Sequence, residues 1–401
     1  EFSPYLAEAE RLYHVCGTPD PLYPDQDDAL LPPPEMTAGD AAMKAGFEAV
    51  GLHPYRVHMG LRYVSGCREC IGFKCPNSCK MDGRSAGVEP ALQSGNAHLL
   101  DECVVRRLEG SATSIQTVLA HHRGRDLRFA ADEVVLAAGA LSSPRLLLAS
   151  RHESAPNGYG NAADLVGRNL MFHLNEMIAL WPRRGTRFDG PTKALALRDF
   201  YLKDGGRYGS FQAMGVDASY GSIVHVLNGM FDRSFLRNAR RLRGLTRIPA
   251  AFAAKLFGDA KIFVGILEDM PYRENRVRLG ADDDEIRIEY SFAKELSERR
   301  RRFRRILRRG LKGHRFVFLN FGPELNYGHP CGTLPFGTDP ATSVLDKECR
   351  VHGLENLSVA DASFMPTSTG VNPSLTIAAN ALRVADAILA RRGEQALRSA
   401  S

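Results

Sequence analysis

The chain contains no apolar run of eighteen or more residues, which excludes a membrane-spanning helix of ordinary length. It also lacks internal repeats and low-complexity tracts, so solenoid and disordered classes fall away. It opens Glu1-Phe-Ser-Pro-Tyr, with neither a Met nor a basic segment, and no secretory signal can be read there. No G-x-G-x-x-G turn occurs; Gly158-Tyr-Gly160 runs on into Asn-Ala-Ala within a loop-like stretch. Much of the net charge of +6 comes from two Arg-rich runs, Arg237 to Arg247 and Arg299 to Arg309. Neither has the aromatic pattern that would stack bases, so nucleic-acid binding has little support.

What is present is an ordinary globular composition, 44% hydrophobic and 24% charged over 401 residues, enough for two domains or one large one. The spacing predicts an amphipathic helix over Tyr5 to His14, a Pro/Asp-rich loop over Pro19 to Pro34, and a helix around Ala38 to Val50. Half of the eight cysteines then fall in Cys67-x2-Cys70-x4-Cys75-x3-Cys79. Thiols this dense suit an iron–sulfur cluster or zinc, or are structural or free. Glu133 to Ala138 reads as an apolar strand of the parallel, doubly buried kind, ending at Gly139 and Pro144 with a helix over Arg145 to Ser150. Lys261 to Glu268 is another strand, and Asn275 to Leu279 pairs with Glu285 to Tyr290 across an Asp-rich turn. The helix Ser297 to Leu311 carries Leu296, Phe303, Ile306 and Leu307 on one face and arginines elsewhere, as a solvated helix packed by one stripe does. The alternative for such a basic amphipathic helix is a membrane surface or an acidic partner.

The C-terminal end is the most informative. Leu357 to Ala360 is a short buried strand that delivers Asp361 into a Pro/Ser/Thr/Gly loop, and an Ala/Leu-rich helix follows from about Ser374 to Ala390, with a frayed tail after Arg391. In α/β folds this arrangement builds nucleotide sites. Four ordered blocks occur here: His329-Pro-Cys-Gly-Thr333, Asp339-Pro-Ala-Thr-Ser343-Val-Leu-Asp346, Asn356-Leu-Ser-Val-Ala-Asp361-Ala-Ser-Phe-Met-Pro366 and Gly370-Val-Asn372-Pro373-Ser-Leu-Thr376. Together they resemble the C-terminal signature of the glucose-methanol-choline (GMC) flavin oxidoreductases.

That resemblance implies an α/β FAD-binding domain, incomplete, Rossmann-like and three-layered, over 80–160 and 327–395. It implies an α+β substrate domain built on an antiparallel sheet over 161–326, and a helical, cysteine-rich cap over 1–79. The family's glycine turn precedes the region matched here, so a missing N-terminal βαβ unit is expected, and any localisation signal with it. The compartment is therefore unknown, a soluble protein of the cytoplasm or periplasm being the expectation. FAD is the implied cofactor, near Val104, Ala138, Gly139, Asp361, Ala362, Asn372, Pro373 and Thr376. Certain sugar-dehydrogenase relatives hold an iron–sulfur cluster in about the place of Cys70, Cys75 and Cys79. The implied reaction oxidises an alcohol or sugar hydroxyl to a carbonyl, with the proton taken by His329, the oxygen held by Asn372 and hydride passed to flavin N5. The cysteine group favours a dehydrogenase over an oxidase. His173, closing Val166-Gly-Arg-Asn-Leu-Met-Phe-His173, reads as a histidine structuring the crossover into the substrate domain. The rival functions are a truncated non-catalytic fragment or subunit, and a hydroxynitrile lyase on the same scaffold.

Overall fold

In a computed structural model the chain is described over residues 2–23, 29–64, 75, 77, 79–182, 192–217, 219–320 and 322–400. Its centre is an antiparallel sheet whose hub is the strand Met171–Trp181. On one flank lies Lys261–Leu267, then Gly209–Asp217, Leu195–Leu197 and the edge pair Tyr55–Arg56. The other flank of the hub is shared: Arg315–Phe318 pairs with its second half and Leu325–Cys331 with its first.

Strand alternation separates the two faces of this sheet. Leu174, Ile178 and Leu180 of the hub lie with Phe211, Ala213 and Phe263 in one apolar cluster, against Leu296, Phe303, Ile306 and Leu307 of the helix Lys294–Gly310. The expected stripe is therefore the packed one. The arginines of this helix are not all solvated, however. Arg300 and Arg304 both reach the buried Glu176, which shares the hub's helix-side face, and Arg299 pairs with Glu295. Burying Glu176 requires these partners, because an unpaired carboxylate would lose its hydration uncompensated. The basic run thus fastens the helix to the sheet.

Strands from two distant parts of the sequence meet in a second region. Val134–Leu136 and Leu357–Val359 form a two-stranded parallel ladder, Val134 opposite Leu357. The parallel pairing matches the sequence reading, but the double burial does not: Val135 is exposed, since Leu357–Val359 is its one paired neighbour among the described residues. The helix after it spans Gly139–Ala149 and starts before Pro144, not after it. Proline at that position removes the bond to the Ala140 carbonyl four residues back. Thr333 Oγ1 donates to that carbonyl instead, at 2.7 Å. The long-range donor is what lets the helix pass through its proline.

Cys103–Gly110 continues into Ile115–His122 and Arg125–Phe129 as an antiparallel three-stranded sheet. The hairpin Arg276–Leu279 with Ile286–Glu289 stands apart from the large sheet, against the helix Gly139–Ala149. Residues 1–79, expected as a cap, divide between two places. The helix Ser3–Leu12 packs on the C-terminal helix Ser374–Ala400, which continues past Arg391, while the helix Ala38–Glu48 lies on the sheet, its Asp40 in a buried ion pair with Lys261. Among the described residues no helix is long and apolar enough to cross a membrane.

Candidate functional site

The face of the sheet opposite the basic helix carries the polar residues. Gln212 alternates against Phe211 and Ala213, and His173 against Leu174, so both project to this side. The loop Thr367–Pro373 is stitched onto it. Ser210 N donates to the Gly370 carbonyl at 2.8 Å, and Ser368 Oγ accepts from Asp269 N at 2.7 Å. Gly370 is required there, because a Cβ would stand 2.6 Å from Gly209 Cα and 2.5 Å from the Tyr201 ring. Gln212 Nε2 donates to Asn372 Oδ1 at 2.8 Å, which turns the Asn372 amide NH2 away as a donor.

His329 lies within the distorted strand Leu325–Cys331, whose register shifts between Asn326 and Cys331. Its Nδ1 is 2.9 Å from His173 Nδ1, with the rings edge to face. His173 is wholly buried, and its Nε2 is 3.0 Å from the Thr369 carbonyl. That carbonyl only accepts, so the partners assign the proton to His173 Nε2. Burial, with the neighbouring His329 second, pushes His173 down to about 3. It is therefore neutral, and its Nδ1 accepts. His329 Nδ1 must then donate, which leaves the lone pair on Nε2. No hydrogen bond from Nε2 is formed among the described residues. Asn326 Nδ2 stands 3.1 Å from His329 Nδ1 and would favour the opposite tautomer; its Oδ1 is held by Gly328 N. The Thr369 carbonyl decides between them, because it cannot donate. Burial, then the charge of Lys193, holds His329 below the ordinary imidazole value.

His173 and His329 are thus in direct contact, and the loop that Thr369 belongs to carries Asn372. The expected structural role of His173 is compatible with this position, but its contact with the second histidine was not anticipated. Gln212 was missed altogether. Its sequence signal, a lone Gln in an apolar strand, is indistinguishable from many others.

Around the parallel ladder, Asp361 is nearly buried, and its carboxylate accepts from Gly139 N at 2.9 Å, from Ser143 Oγ and from Ser363 N at 2.8 Å. It clamps the end of one strand to the start of the helix after the other. Gly139 has φ +84° and open space where a Cβ would be, while Val104 and Val135 are exposed and Ala362 is buried beside Ser363, whose hydroxyl has no partner among the described residues. An open glycine face and an orphaned buried hydroxyl fit a close-lying polar cofactor. Pro373 is buried and Thr376 half-buried in the first turn of the C-terminal helix.

Of the cysteine group, Cys67 and Cys70 lie outside the described residues. Cys79 N donates to Cys75 Sγ at 3.3 Å, and Cys79 clusters with Cys16 and Leu61. Backbone N–H donors, those of Lys80 and Asn77 foremost, lower the Cys75 thiol to about 7. Among the described residues no three His, Cys, Asp or Glu side chains are placed to hold a metal ion.

An antiparallel sheet with a histidine pair on one face thus lies in one chain with a two-stranded parallel ladder that ends at the open Gly139. Pyridoxine 4-oxidase from Mesorbium loti shares the fold at a TM-score of 0.58 over 91% of this chain and 74% of that one, with 21% identity. The GMC oxidoreductase family models match at residues 33–175 and 322–381, and the chain belongs to that family, whose members bind FAD. It is similar to 6'''-hydroxyparomomycin C oxidase of Streptomyces lividus, 29% identical over 96% of this chain and 70% of the relative. It is equally similar to paromamine 6'-oxidase of Streptomyces fradiae, 29% identical over 97% and 70%.

Proposed function

We propose that this chain carries the base and the orienting donor of an enzyme that oxidises a hydroxyl of a small alcohol or sugar to a carbonyl, with FAD as its cofactor. The observation that carries the reading is the His173–His329 contact, whose proton assignment leaves a basic nitrogen on His329. His329 takes the hydroxyl proton on Nε2, and Asn372, its Oδ1 already occupied by Gln212, donates from its NH2 to the substrate oxygen. His173 is a positioning residue that sets the tautomer. Gly139, Ala138, Ala362, Val104, Pro373 and Thr376 are the residues that would hold FAD, with Asp361 clamping the cradle they line. FAD, when bound, supplies the two-electron acceptor for the hydride released as the carbonyl forms. The relatives named for paromamine and for 6'''-hydroxyparomomycin C support a hydroxyl-bearing small molecule. The acceptor divides the reading: both of these relatives are named as oxidases, while the cysteine group, of which Cys67 and Cys70 lie outside the described residues, favours a dehydrogenase.

The test is anaerobic bleaching of FAD added to the purified chain by a panel of alcohols and sugars, followed by oxygen uptake. His329→Ala should slow bleaching by about 10² to 10⁴ and leave FAD uptake unchanged. A chain that takes up no FAD, or one whose His329→Ala variant bleaches at the parent rate, sinks the proposal. Cyanohydrin cleavage with unbleached flavin would assign the lyase instead.

A further inference from the structure

The strands Gly209–Asp217 and Lys261–Leu267 are adjacent antiparallel partners in the sheet, and a short turn is all their geometry needs. Instead the chain inserts the helix Tyr220–Arg233, a 3-10 helix Arg240–Thr246 and the helix Arg247–Phe257, packed on one another. Phe257 stacks on Trp181 at 5.6 Å between ring centroids, fastening the base of the insertion to the sheet. Within the insertion's described side chains only Ala250 is fully buried. Phe235 is 91% exposed and Phe252 74%, and Ile248, Leu256, Leu245 and Val226 are exposed as well. A solvated helix hides its apolar stripe; the helix Arg247–Phe257 turns Ile248, Phe252 and Leu256 outward.

The charge has the same concentration. Residues 219–258 contain seven Lys and Arg and one acid, Asp232, which pairs with Arg243. The excess equals the net +6 of the whole chain, so the remainder is balanced. The other Arg-rich run differs, since its apolar stripe is packed on the sheet and Arg299, Arg300 and Arg304 are turned onto Glu295 and Glu176.

We propose that this insertion docks the protein on the surface of an anionic phospholipid bilayer, with Phe235, Phe252 and Leu256 entering the head-group boundary and Arg237, Arg240 and Arg241 meeting lipid phosphates. A bilayer surface accepts outward aromatics and arginines together, the rings at the head-group boundary and the charges on anionic lipid. A second copy of the chain would set like charge against like across a two-fold axis. No described helix is long and apolar enough to span, so the attachment is interfacial. The inference does not depend on the catalytic reading.

The experiment is flotation of the full chain with vesicles of phosphatidylcholine alone and of phosphatidylcholine with about one-third phosphatidylglycerol. The chain should float with the anionic vesicles and much less with the neutral ones. At about fivefold per basic residue, Arg237→Glu/Arg240→Glu/Arg241→Glu should weaken partitioning about 100-fold or more. Phe235→Ser/Phe252→Ser should also release the protein from anionic vesicles, with melting unchanged in both variants because the altered side chains are exposed. Absence of flotation overturns the proposal, as does flotation that persists in both variants. A concentration-dependent dimer in sedimentation that Phe235→Ser/Phe252→Ser abolishes, without lipid binding, would assign the face to self-association and overturn it too.

Discussion

Replacing His173 by Leu tests the tautomer argument directly. The substitution removes the acceptor of His329 Nδ1–H and leaves a buried donor unmatched, which costs about 1–3 kcal/mol. The alternative tautomer escapes this cost, because Asn326 Nδ2 lies 3.1 Å from the same nitrogen and donates to it once the proton has moved to Nε2. A protonated Nε2 cannot take the substrate proton. Each 1.36 kcal/mol is tenfold in rate, so kcat/KM should fall by about 5-fold to somewhat over 100-fold. The assay is anaerobic stopped-flow reduction of bound FAD across pH. The deficit should persist on the alkaline plateau, because deprotonation does not correct a tautomer. His173→Asn, which keeps an acceptor near the lost Nδ1, should recover part of the rate. A His173→Leu variant within about threefold of the parent at every pH would refute the reasoning, since that is less than the smallest cost of the unmatched donor.

Stability should depend on pH through two groups with opposite signs. His173 is held at about 3, below its unfolded value, so its contribution is complete above about 6.5 and is lost as pH falls; at pH 5 the loss is about 2 kcal/mol. Asp269, buried and raised to about 6, contributes stability that is complete below about 4 and lost as pH rises through 6. Denaturant melts from pH 7 to 4 should therefore show acid destabilisation in the parent that shrinks or reverses in His173→Leu; identical profiles would contradict the assignment. Thr333→Val should cost about 1–3 kcal/mol by orphaning the Ala140 carbonyl, and Pro144→Ala in the same chain should restore most of it by supplying the helix N–H; additive losses would count against the compensation. Gly139→Ala meets no atom within 4 Å but holds φ +84°, so it should cost only about 1–2 kcal/mol of stability while weakening FAD uptake more than tenfold, and equal FAD titrations for both proteins would remove Gly139 from the cradle.

Local pattern carried much of this protein. The stripe Leu296, Phe303, Ile306 and Leu307, the strand Lys261–Leu267 and the hairpin around the Asp-rich turn follow from periods of 3.6 and 2, which neighbouring residues alone dictate. The four C-terminal blocks marked the family, and the resemblance they carry put forward His329 and Asn372 as candidates. The tertiary structure decided what depends on residues far apart in the chain. Pro144 sits inside a helix because Thr333, from another segment, takes the carbonyl that the proline frees. Arg300 and Arg304 of one basic run turn inward because Glu176 waits on the hub strand, while the arginines of the other have a single acid in their own segment. Which nitrogen of His329 is basic rests on a histidine 156 residues away and a carbonyl on a third segment. Such contacts leave no periodic trace, since the energy that selects them is paid out only when distant strands close into one sheet.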